Sequence, residues 1–171
     1  MKTKKYLPRY RTLIGGLVLC AAFLYFFPVI KVSGKSMVPT IADGDLLLFW
    51  NFAYGIKKPL KNAYFVMWNA PQKDDIVLFI INGRPVVKRV ALCSGTVLEH
   101  YEKDGAYYLL LDNCALKLDA ESYRTIFGDG SIKTVPTGYF FALGDNVRLS
   151  EDSRHYGFVA NTSVLGKVLC K

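Results

Sequence analysis

The chain has 171 residues, enough for one compact domain with a short extension. Its composition, 51% hydrophobic and 14% aromatic, is typical of a folded domain that also carries a membrane segment. The formal charge of +8 makes an anionic partner worth considering. Removing the five basic residues that precede the first hydrophobic run leaves 17 basic against 14 acidic residues, a net charge of +3. The excess is therefore a basic tail and not a basic face, which argues against a nucleic-acid partner. The five tail residues are Lys2, Lys4, Lys5, Arg9 and Arg11.

The first predicted element is a membrane anchor at residues 12–30. No residue in this run is charged, and Arg11 and Lys31 bracket it. As a helix its 19 residues would span about 28 Å, close to the hydrocarbon thickness of a bilayer. The positive-inside rule keeps the basic tail, residues 1–11, in the cytoplasm and places residues 31–171 outside as one extracytoplasmic domain.

Two other interpretations of this run fit less well. A cleaved secretory signal usually has a shorter apolar region, and no A-x-A cleavage site follows this one. A buried core helix would not be expected between basic flanks and without a polar face.

After Lys31 the sequence changes to short apolar runs separated by turn signals, a pattern typical of strands. Asn82-Gly83 and Asp104-Gly105 are hairpin signals, because both positions of such pairs tolerate positive φ. No long stretch after Ile30 has helical periodicity. We therefore predict a mainly β domain, built on an antiparallel sheet or a barrel-like arrangement. The predicted strands are residues 45–50, 75–81, 84–91, 96–101, 106–111 and 139–143.

The cysteines do not form a metal-binding pattern. There is no C-x-x-C pair and no histidine cluster, so neither zinc nor another cofactor is expected. Cys20 lies in the hydrophobic run, whereas Cys93, Cys114 and Cys170 follow it. A disulfide between Cys93 and Cys114 stays open at this point, because the sequence alone cannot place their Cα atoms within bonding range.

Ser36 is the first candidate for chemistry. It lies in a polar loop, SGKSMVPT at residues 33–40, five residues beyond Lys31 and so near the outer membrane surface. Gly34 would let another backbone approach it, and Pro39 would stiffen the loop. Taken alone, such a serine is usually a solvated hydroxyl.

Lys88 is the second candidate. Side chains alternate along a strand, so Lys88 shares an apolar face with Val86 and Val90 while Arg89 points to the other face. Burial on that face would lower the pKa of the amine and let it accept a proton near neutral pH. The alternative is a strand lysine that extends its ammonium into water.

A third segment, GDNVRLSEDSR at residues 144–154, is polar and follows the last predicted strand. By itself it reads as a charged surface turn. Together with the other two segments, it makes residues 31–169 resemble bacterial type I signal peptidases. The matching pieces, which lie in the order of that family behind the apolar run, are SMVPT at 36–40, GD at 44–45, DIV at 75–77 with KRV at 88–90, and GDN at 144–146 with the later S, DSR and GFV.

The chain departs from the family pattern at several points. After the base motif, LCSGT at residues 92–96 keeps only the second glycine of the usual Gly-Leu-Pro-Gly-Asp. In the C-terminal motif, VRL at 147–149 replaces the usual middle residues. Gly34 stands where some relatives have a serine whose hydroxyl helps to bind the oxyanion.

The resemblance implies a membrane-anchored serine endopeptidase with a Ser-Lys dyad, Ser36 as nucleophile and Lys88 as general base. It further implies that Ser150 orients Lys88, and that Gly34 shapes the oxyanion loop beside the backbone N–H of Ser36. Asp152 and Arg154 are interpreted as a structural ion pair.

The resemblance also implies the partners: the lipid bilayer and membrane-inserted preproteins with small residues at −1 and −3 of the cut. Four aromatic residues could either contact the lipid interface or belong to the hydrophobic core, and the sequence does not decide between the two. They are Phe49, Trp50, Phe52 and Tyr54.

Three other functions stay open. A dedicated maturase of the conjugative-pilus kind would share every catalytic residue and differ only in substrate. A degenerate, non-catalytic binding domain is disfavoured by the intact Ser36, Lys88 and Ser150. A repressor-type self-cleaving protease is disfavoured by the anchor and by the lack of a DNA-binding helix pair.

Overall fold

The computed structural model describes residues 9–58, 63–112 and 114–170. Helix α1 spans Arg9–Phe26, and many of its apolar side chains are exposed; Leu13, Leu17 and Leu19 are each more than 70% exposed. Most of the predicted basic tail, residues 1–8, lies outside the described residues.

Helix α1 ends earlier than the predicted membrane segment. It stops at Phe26, two residues before Pro28, and Val29–Lys31 forms strand β1. Proline has no N–H to donate and disfavours helical backbone in the residue before it, so it ends the helix here. The prediction of helix through Ile30 is wrong over those last four residues. Among the described residues, no helix combines the length and the hydrophobicity that crossing a membrane requires.

All strand pairings in the described part of the chain are antiparallel. The main sheet has seven strands in the order β1-β2-β12-β5-β6-β10-β11, and two small sheets have the orders β3-β4 and β7-β8-β9. The strands are β1 Val29–Lys31, β2 Leu46–Trp50, β3 Gly55–Lys57, β4 Tyr64–Met67, β5 Ile76–Ile81, β6 Arg84–Leu92, β7 His100–Lys103, β8 Ala106–Leu111, β9 Cys114–Leu118, β10 Tyr139–Leu143, β11 Val159–Ala160 and β12 Val164–Cys170.

The predicted mainly β, antiparallel fold is confirmed. The barrel-like alternative is not supported, because no described pairing joins the edge strands β1 and β11. Both hairpin signals are confirmed. Asn82 and Gly83 have φ of 49° and 75° and turn β5 into β6, while Asp104 and Gly105 have φ of 52° and 71° and turn β7 into β8.

Five of the six predicted strands are confirmed to within one residue at each end. The sixth, at residues 96–101, is wrong in its first half, because β7 begins only at His100. Leu98 is buried there and packs into a core cluster with Leu109 and Phe127, so this apolar run anchors a loop. Strands β1, β3, β4, β9, β11 and β12 were not predicted.

Two short helices were also not predicted. Helix α2, Ala120–Phe127, begins where the Asp119 carboxylate accepts the Ser122 N–H and ends at Gly128. It buries Ile126 and Phe127 over two turns, too few to give a helical period in the sequence. Helix α3, Ser153–Tyr156, is a single turn that begins after Asp152.

The four aromatic residues that could have met lipid have different roles. Phe49 and Tyr54 are fully buried core residues. The ring of Phe52 packs on α1, with its centroid 4.9 Å from that of Phe26. Trp50 is 39% exposed at the end of β2. The interpretation that Phe49 and Tyr54 contact the lipid interface is therefore wrong.

The four cysteines are free. The Cys93–Cys114 disulfide is absent because the two residues lie on different parts of the fold. Cys93 follows β6 and its thiol lies 3.6 Å from the Pro71 carbonyl oxygen, whereas Cys114 begins β9 in a separate sheet.

Lys57, on the small β3-β4 sheet, has a buried amine without a hydrogen-bond partner among the described residues. Replacing Lys57 should therefore change the stability of the fold. Its Nζ is shielded from water without a hydrogen-bond partner among the described residues and lies 5.1 Å from the Tyr64 ring centroid. Burial lowers its pKa to about 8. Lys57→Met should therefore raise the melting temperature at pH 7, where the wild type must hold the charged amine in an unfavourable place.

The advantage of Lys57→Met should shrink with pH. Above the folded pKa of about 8, the native amine is neutral while the unfolded chain still binds the proton, so wild-type stability rises. Thermal unfolding of both proteins at pH 7 and pH 10 in detergent micelles measures this, with exposed Lys103→Met as the control. An equal or larger gap at pH 10 would contradict the assignment.

Candidate active site

Ser36 lies in the loop between β1 and β2. The next residue, Met37, is 2% exposed and packs with Ile41 and Leu47 in a core cluster. The Ile41 N–H donates to the Met37 carbonyl at 2.9 Å and closes a tight turn. The core therefore holds the loop by its methionine, while Ser36 lines the cavities outside it.

Gly34 is required by the shape of this loop. Its φ is 112°, which L side chains rarely adopt, and its N–H donates to Asp43 Oδ1 at 2.8 Å. A Cβ there would meet nothing within 4 Å, so the requirement is backbone conformation and not space.

Lys88 is buried in the middle of the main sheet. It lies on β6 opposite Val77 of β5 and is 4% exposed. Val90, on the same face, is fully buried. The predicted burial of this lysine on an apolar face is thus confirmed.

The fold brings Ser36 and Lys88 together although 52 residues separate them in the chain. Lys88 Nζ lies 2.8 Å from Ser36 Oγ, within hydrogen-bond distance. Desolvation lowers the pKa of Lys88, while the carboxylates of Asp152 and Glu151 partly oppose the shift by favouring the ammonium. A lowered pKa increases the fraction of neutral amine, the form that can accept a proton.

A second loop, between β10 and α3, packs against the serine loop. The Asn146 N–H donates to the Ser36 carbonyl oxygen at 2.9 Å. A Cβ on Gly144 would come within 2.5 Å of that same oxygen and closer still to Ser150 Oγ. The two loops therefore touch through backbone atoms, and Gly144 makes the contact possible.

Gly144→Ala should reduce kcat/KM by about 100-fold, because the added methyl group pushes the second loop away from Ser36 and misplaces it relative to Lys88. Initial rates on a cleavable preprotein measure the effect. Gly16→Ala is the matched control, since a Cβ at Gly16 would meet nothing within 4 Å. Equal activity of both variants would show that the close packing at Gly144 is unimportant.

Two ion pairs hold the second loop. Arg89 on β6 binds Asp145 through two hydrogen bonds of 2.9 and 2.7 Å. Arg154 binds the fully buried Asp152 at 2.8 and 3.0 Å, and the same carboxylate accepts the Gly144 N–H at 3.1 Å. Asp152 and Arg154 thus form the ion pair proposed from the sequence, whereas the Arg89–Asp145 pair was not predicted.

Ser150 is buried beside the dyad, but its hydroxyl has no hydrogen-bond partner within the described ranges. The structure therefore shows no hydrogen bond from Ser150 to Lys88. A Cβ on Gly144 would come within 2.5 Å of both Ser150 and the Ser36 carbonyl oxygen. Ser150 therefore lies close to the backbone of Ser36.

Two cavities meet at Ser36, Val86 and Lys88. The smaller, about 270 Å³, is lined mainly by apolar residues, among them Val32 and Leu78. The larger, about 530 Å³, is more polar. An extended peptide that passes from one cavity to the other would cross the serine hydroxyl.

A serine hydroxyl hydrogen-bonded to a buried lysine, open to a peptide-sized cleft, is the arrangement of a serine hydrolase with an amine base. The chemistry available to it is attack on a carbonyl carbon.

Comparison with known proteins identifies the family. The family described as "Signal peptidase, peptidase S26" matches residues 7–171. Signal peptidase I of Bacillus caldolyticus is 32% identical, over 94% of this chain and 87% of the relative. Signal peptidase IB of Staphylococcus aureus (strain Mu50) is 29% identical, over 88% and 83%. A crystal structure of a signal peptidase I from Enterococcus faecalis is 32% identical over 60% of this chain and 98% of that one, with a TM-score of 0.40.

The chain belongs to the signal peptidase family, peptidase S26, and is a serine endopeptidase. The resemblance inferred from the sequence motifs is confirmed.

Proposed function

We propose that the protein removes signal peptides from exported preproteins, with Ser36 as nucleophile and Lys88 as general base. The observation that supports this most strongly is the 2.8 Å separation of Lys88 Nζ and Ser36 Oγ at the junction of the two cavities. The names of the relatives, signal peptidases I and IB, agree with this substrate class.

The reaction begins when neutral Lys88 accepts the Ser36 proton and the serine oxygen attacks the scissile carbonyl carbon. The Ser36 backbone N–H donates to the oxyanion that forms. The Lys88 ammonium then gives its proton to the leaving amine, which departs and leaves an acyl-enzyme. Lys88 next takes a proton from water, whose oxygen attacks the ester carbonyl carbon. As the ester bond breaks, the Lys88 ammonium returns that proton to Ser36 Oγ, and the signal peptide leaves with a new carboxyl group.

Gly34 carries no hydroxyl, so the oxyanion receives no side-chain donor from this position. Removing one oxyanion donor costs about 3–4 kcal/mol in another serine protease. We propose that Gly34 instead contributes through the backbone shape that its φ of 112° gives to the loop before Ser36.

The smaller cavity supports a substrate with small residues at −1 and −3 of the cut. Its mainly apolar lining suits small uncharged side chains better than charged ones. A membrane-inserted preprotein presents such residues in an extended segment that could lie along β6.

We propose that the apolar part of α1, residues 12–26, anchors the enzyme in the cytoplasmic membrane, with the basic N-terminal residues on the cytoplasmic side and the β domain outside. The exposed apolar side chains of α1 and the excess of basic residues before it support this topology. Anchoring would confine enzyme and signal peptide to one surface and raise their effective concentration.

The test is cleavage of a preprotein with a small-residue signal site by the full-length enzyme in detergent micelles, with the cut located by mass spectrometry. We expect one cut directly after the small residue at −1. Absence of cleavage for several preproteins, with cleavage of a pilin precursor, would instead indicate the dedicated maturase. Absence of all cleavage would contradict the proposed function.

A further inference from the structure

The register of the main sheet relates the position of Lys88 to the end of α1. Lys88 belongs to a row of paired residues that crosses four neighbouring strands, from β2 through β12 and β5 to β6. The residues of this row are Trp50, Lys167, Val77 and Lys88. Asn51, the residue after β2, donates its backbone N–H to the carbonyl oxygen of Phe26, where α1 ends, at 3.3 Å. Lys88 and the end of α1 therefore lie at nearly the same level along the strands, about 14 Å apart across the sheet.

Helix α1 projects from the β domain at this point. Residues 10–26 are all exposed, and the rings of Tyr25 and Phe26 at the helix end contact the ring of Phe52. The β3-β4 sheet lies beside this junction, because Ile56 of β3 lines a cavity of about 320 Å³ together with Tyr25 and Phe52. The β3-β4 sheet therefore borders the root of α1.

Exposed apolar side chains cluster on the β3-β4 sheet. Phe65 is 74% exposed, the same fraction as Leu17 of α1, and Trp68, directly after β4, is 54% exposed. Ile56 and Val66 pair across the two strands and are both exposed. A group of large exposed apolar side chains usually marks a contact surface. We call Ile56, Phe65, Val66 and Trp68 the β4 patch.

Two properties of the β4 patch favour a lipid surface over a protein partner. The patch borders the root of α1, so insertion of the helix into a bilayer brings the patch to the bilayer surface. Its two most exposed members are a phenylalanine and a tryptophan, which are favoured on apolar faces that lie in the lipid interface. A protein partner fits less well, because four side chains expose less than the roughly 800 Å² that each partner buries in a stable complex.

We propose that the β4 patch inserts into the lipid interface, where it makes a second membrane contact beside α1. The inference rests on the proposed anchoring by α1 and adds the orientation of the β domain to it. A single helix does not by itself fix this orientation, whereas a second contact determines which end of the domain faces the bilayer. Because Lys88 lies level with the end of α1, the orientation keeps the dyad close to the surface from which a preprotein emerges.

The chain has two tryptophans, Trp50 and Trp68, which allows a direct test by fluorescence. In full-length Trp50→Phe protein, reconstituted in vesicles of phosphatidylcholine and phosphatidylglycerol, Trp68 is the only tryptophan. Replacing the phosphatidylcholine by its counterpart with brominated acyl chains should reduce Trp68 emission about twofold, because bromine quenches tryptophans that lie in the lipid interface.

The matched control carries its tryptophan at the opposite end of the sheet. Strand β6 runs opposite to β2, so its last residue, Leu92, lies at the end away from α1. Leu92 shares a core cluster with Leu109 of β8, which places the β7-β8-β9 sheet at that end. Tyr101 of β7 is an exposed aromatic residue there. The protein Trp50→Phe/Trp68→Phe/Tyr101→Trp should therefore keep its emission in brominated vesicles.

A second variant tests whether the contact matters for cleavage. Phe65→Ser/Trp68→Ser should reduce kcat/KM about fivefold on a preprotein embedded in the same vesicles, because the dyad is no longer held at the bilayer surface. On a short water-soluble peptide with the same cleavage site, the rate should stay at the wild-type value, since neither residue lines the cavities at Ser36. Tyr101→Ser should leave both rates unchanged, and circular dichroism checks that each variant is folded.

Trp68 emission that is unchanged in brominated vesicles, with normal cleavage by the wild type, would overturn the inference and leave the proposed function intact. Equal quenching of the Tyr101→Trp control would also overturn it, as would an equal loss of both rates in Phe65→Ser/Trp68→Ser. Cross-linking of the wild type into dimers that Phe65→Ser/Trp68→Ser abolishes would assign the β4 patch to a second copy of the chain instead. If the wild type cleaves neither substrate, the proposed function fails, while the quenching of Trp68 still decides the lipid contact.

Discussion

Ser36→Ala is expected to reduce kcat/KM on a cleavable preprotein by about 10⁴- to 10⁶-fold. Alanine keeps the loop conformation, because Met37 and Ile41 and not Ser36 hold the loop on the core. It removes the proposed nucleophile, the Oγ that lies 2.8 Å from Lys88 Nζ. Initial rates with purified full-length protein measure the loss.

The matched control is Ser131→Ala, which removes an exposed hydroxyl from the turn after α2 and should leave the rate unchanged. Thermal unfolding should show that Ser36→Ala is as stable as wild type. Substantial activity of a folded Ser36→Ala enzyme would rule out this serine as nucleophile.

Much of the sheet could be predicted from the sequence, because the patterns that indicate strands and turns are local. Strand β8 was predicted to the residue, since a continuous apolar run ends at turn residues on both sides. Asn82-Gly83 located the β5-β6 hairpin because its backbone must adopt positive φ. The alternation of side chains along β6 predicted that Lys88 faces the apolar side, which the structure confirms.

Other features depend on contacts between distant residues. No local pattern could show that Ser36 meets Lys88, and only the resemblance to a family connected them. The close packing of Gly144 on the Ser36 carbonyl needs the second loop in place. Helix α2 is specified by its Asp119 cap and by burial of its apolar side chains, which two turns of sequence do not reveal.

Lys88→Met is expected to abolish cleavage, with a loss comparable to that of Ser36→Ala, because the two groups act as a unit. Methionine matches the length and fills the apolar site, so folding should be preserved. Lys88→Arg should also be inactive, since a guanidinium stays protonated and cannot accept the serine proton. Single-turnover rates on a preprotein measure both variants. An active Lys88→Met enzyme would keep Ser36 as nucleophile but require another base.

The pH dependence tests the base more directly. The proposed mechanism requires neutral Lys88, so kcat/KM should rise with pH through the pKa of Lys88 and fall as pH drops below it. Burial lowers this pKa, which places the acidic limb of the profile below the range of an ordinary lysine. An acidic limb at the pH of an ordinary lysine would mean that the amine is not desolvated during catalysis.

The variant Glu151→Gln tests which group sets the acidic limb of the pH profile. The Glu151 carboxylate favours the ammonium form of Lys88, so Glu151→Gln should lower the pKa of Lys88 further and shift the acidic limb to lower pH. Glu121→Gln, at an exposed position of α2, should leave the limb where it is. A limb that moves in Glu151→Gln and not in Glu121→Gln supports titration of Lys88, because a limb set by global unfolding would respond to neither substitution. A limb unmoved by Glu151→Gln would show that another group controls the rate.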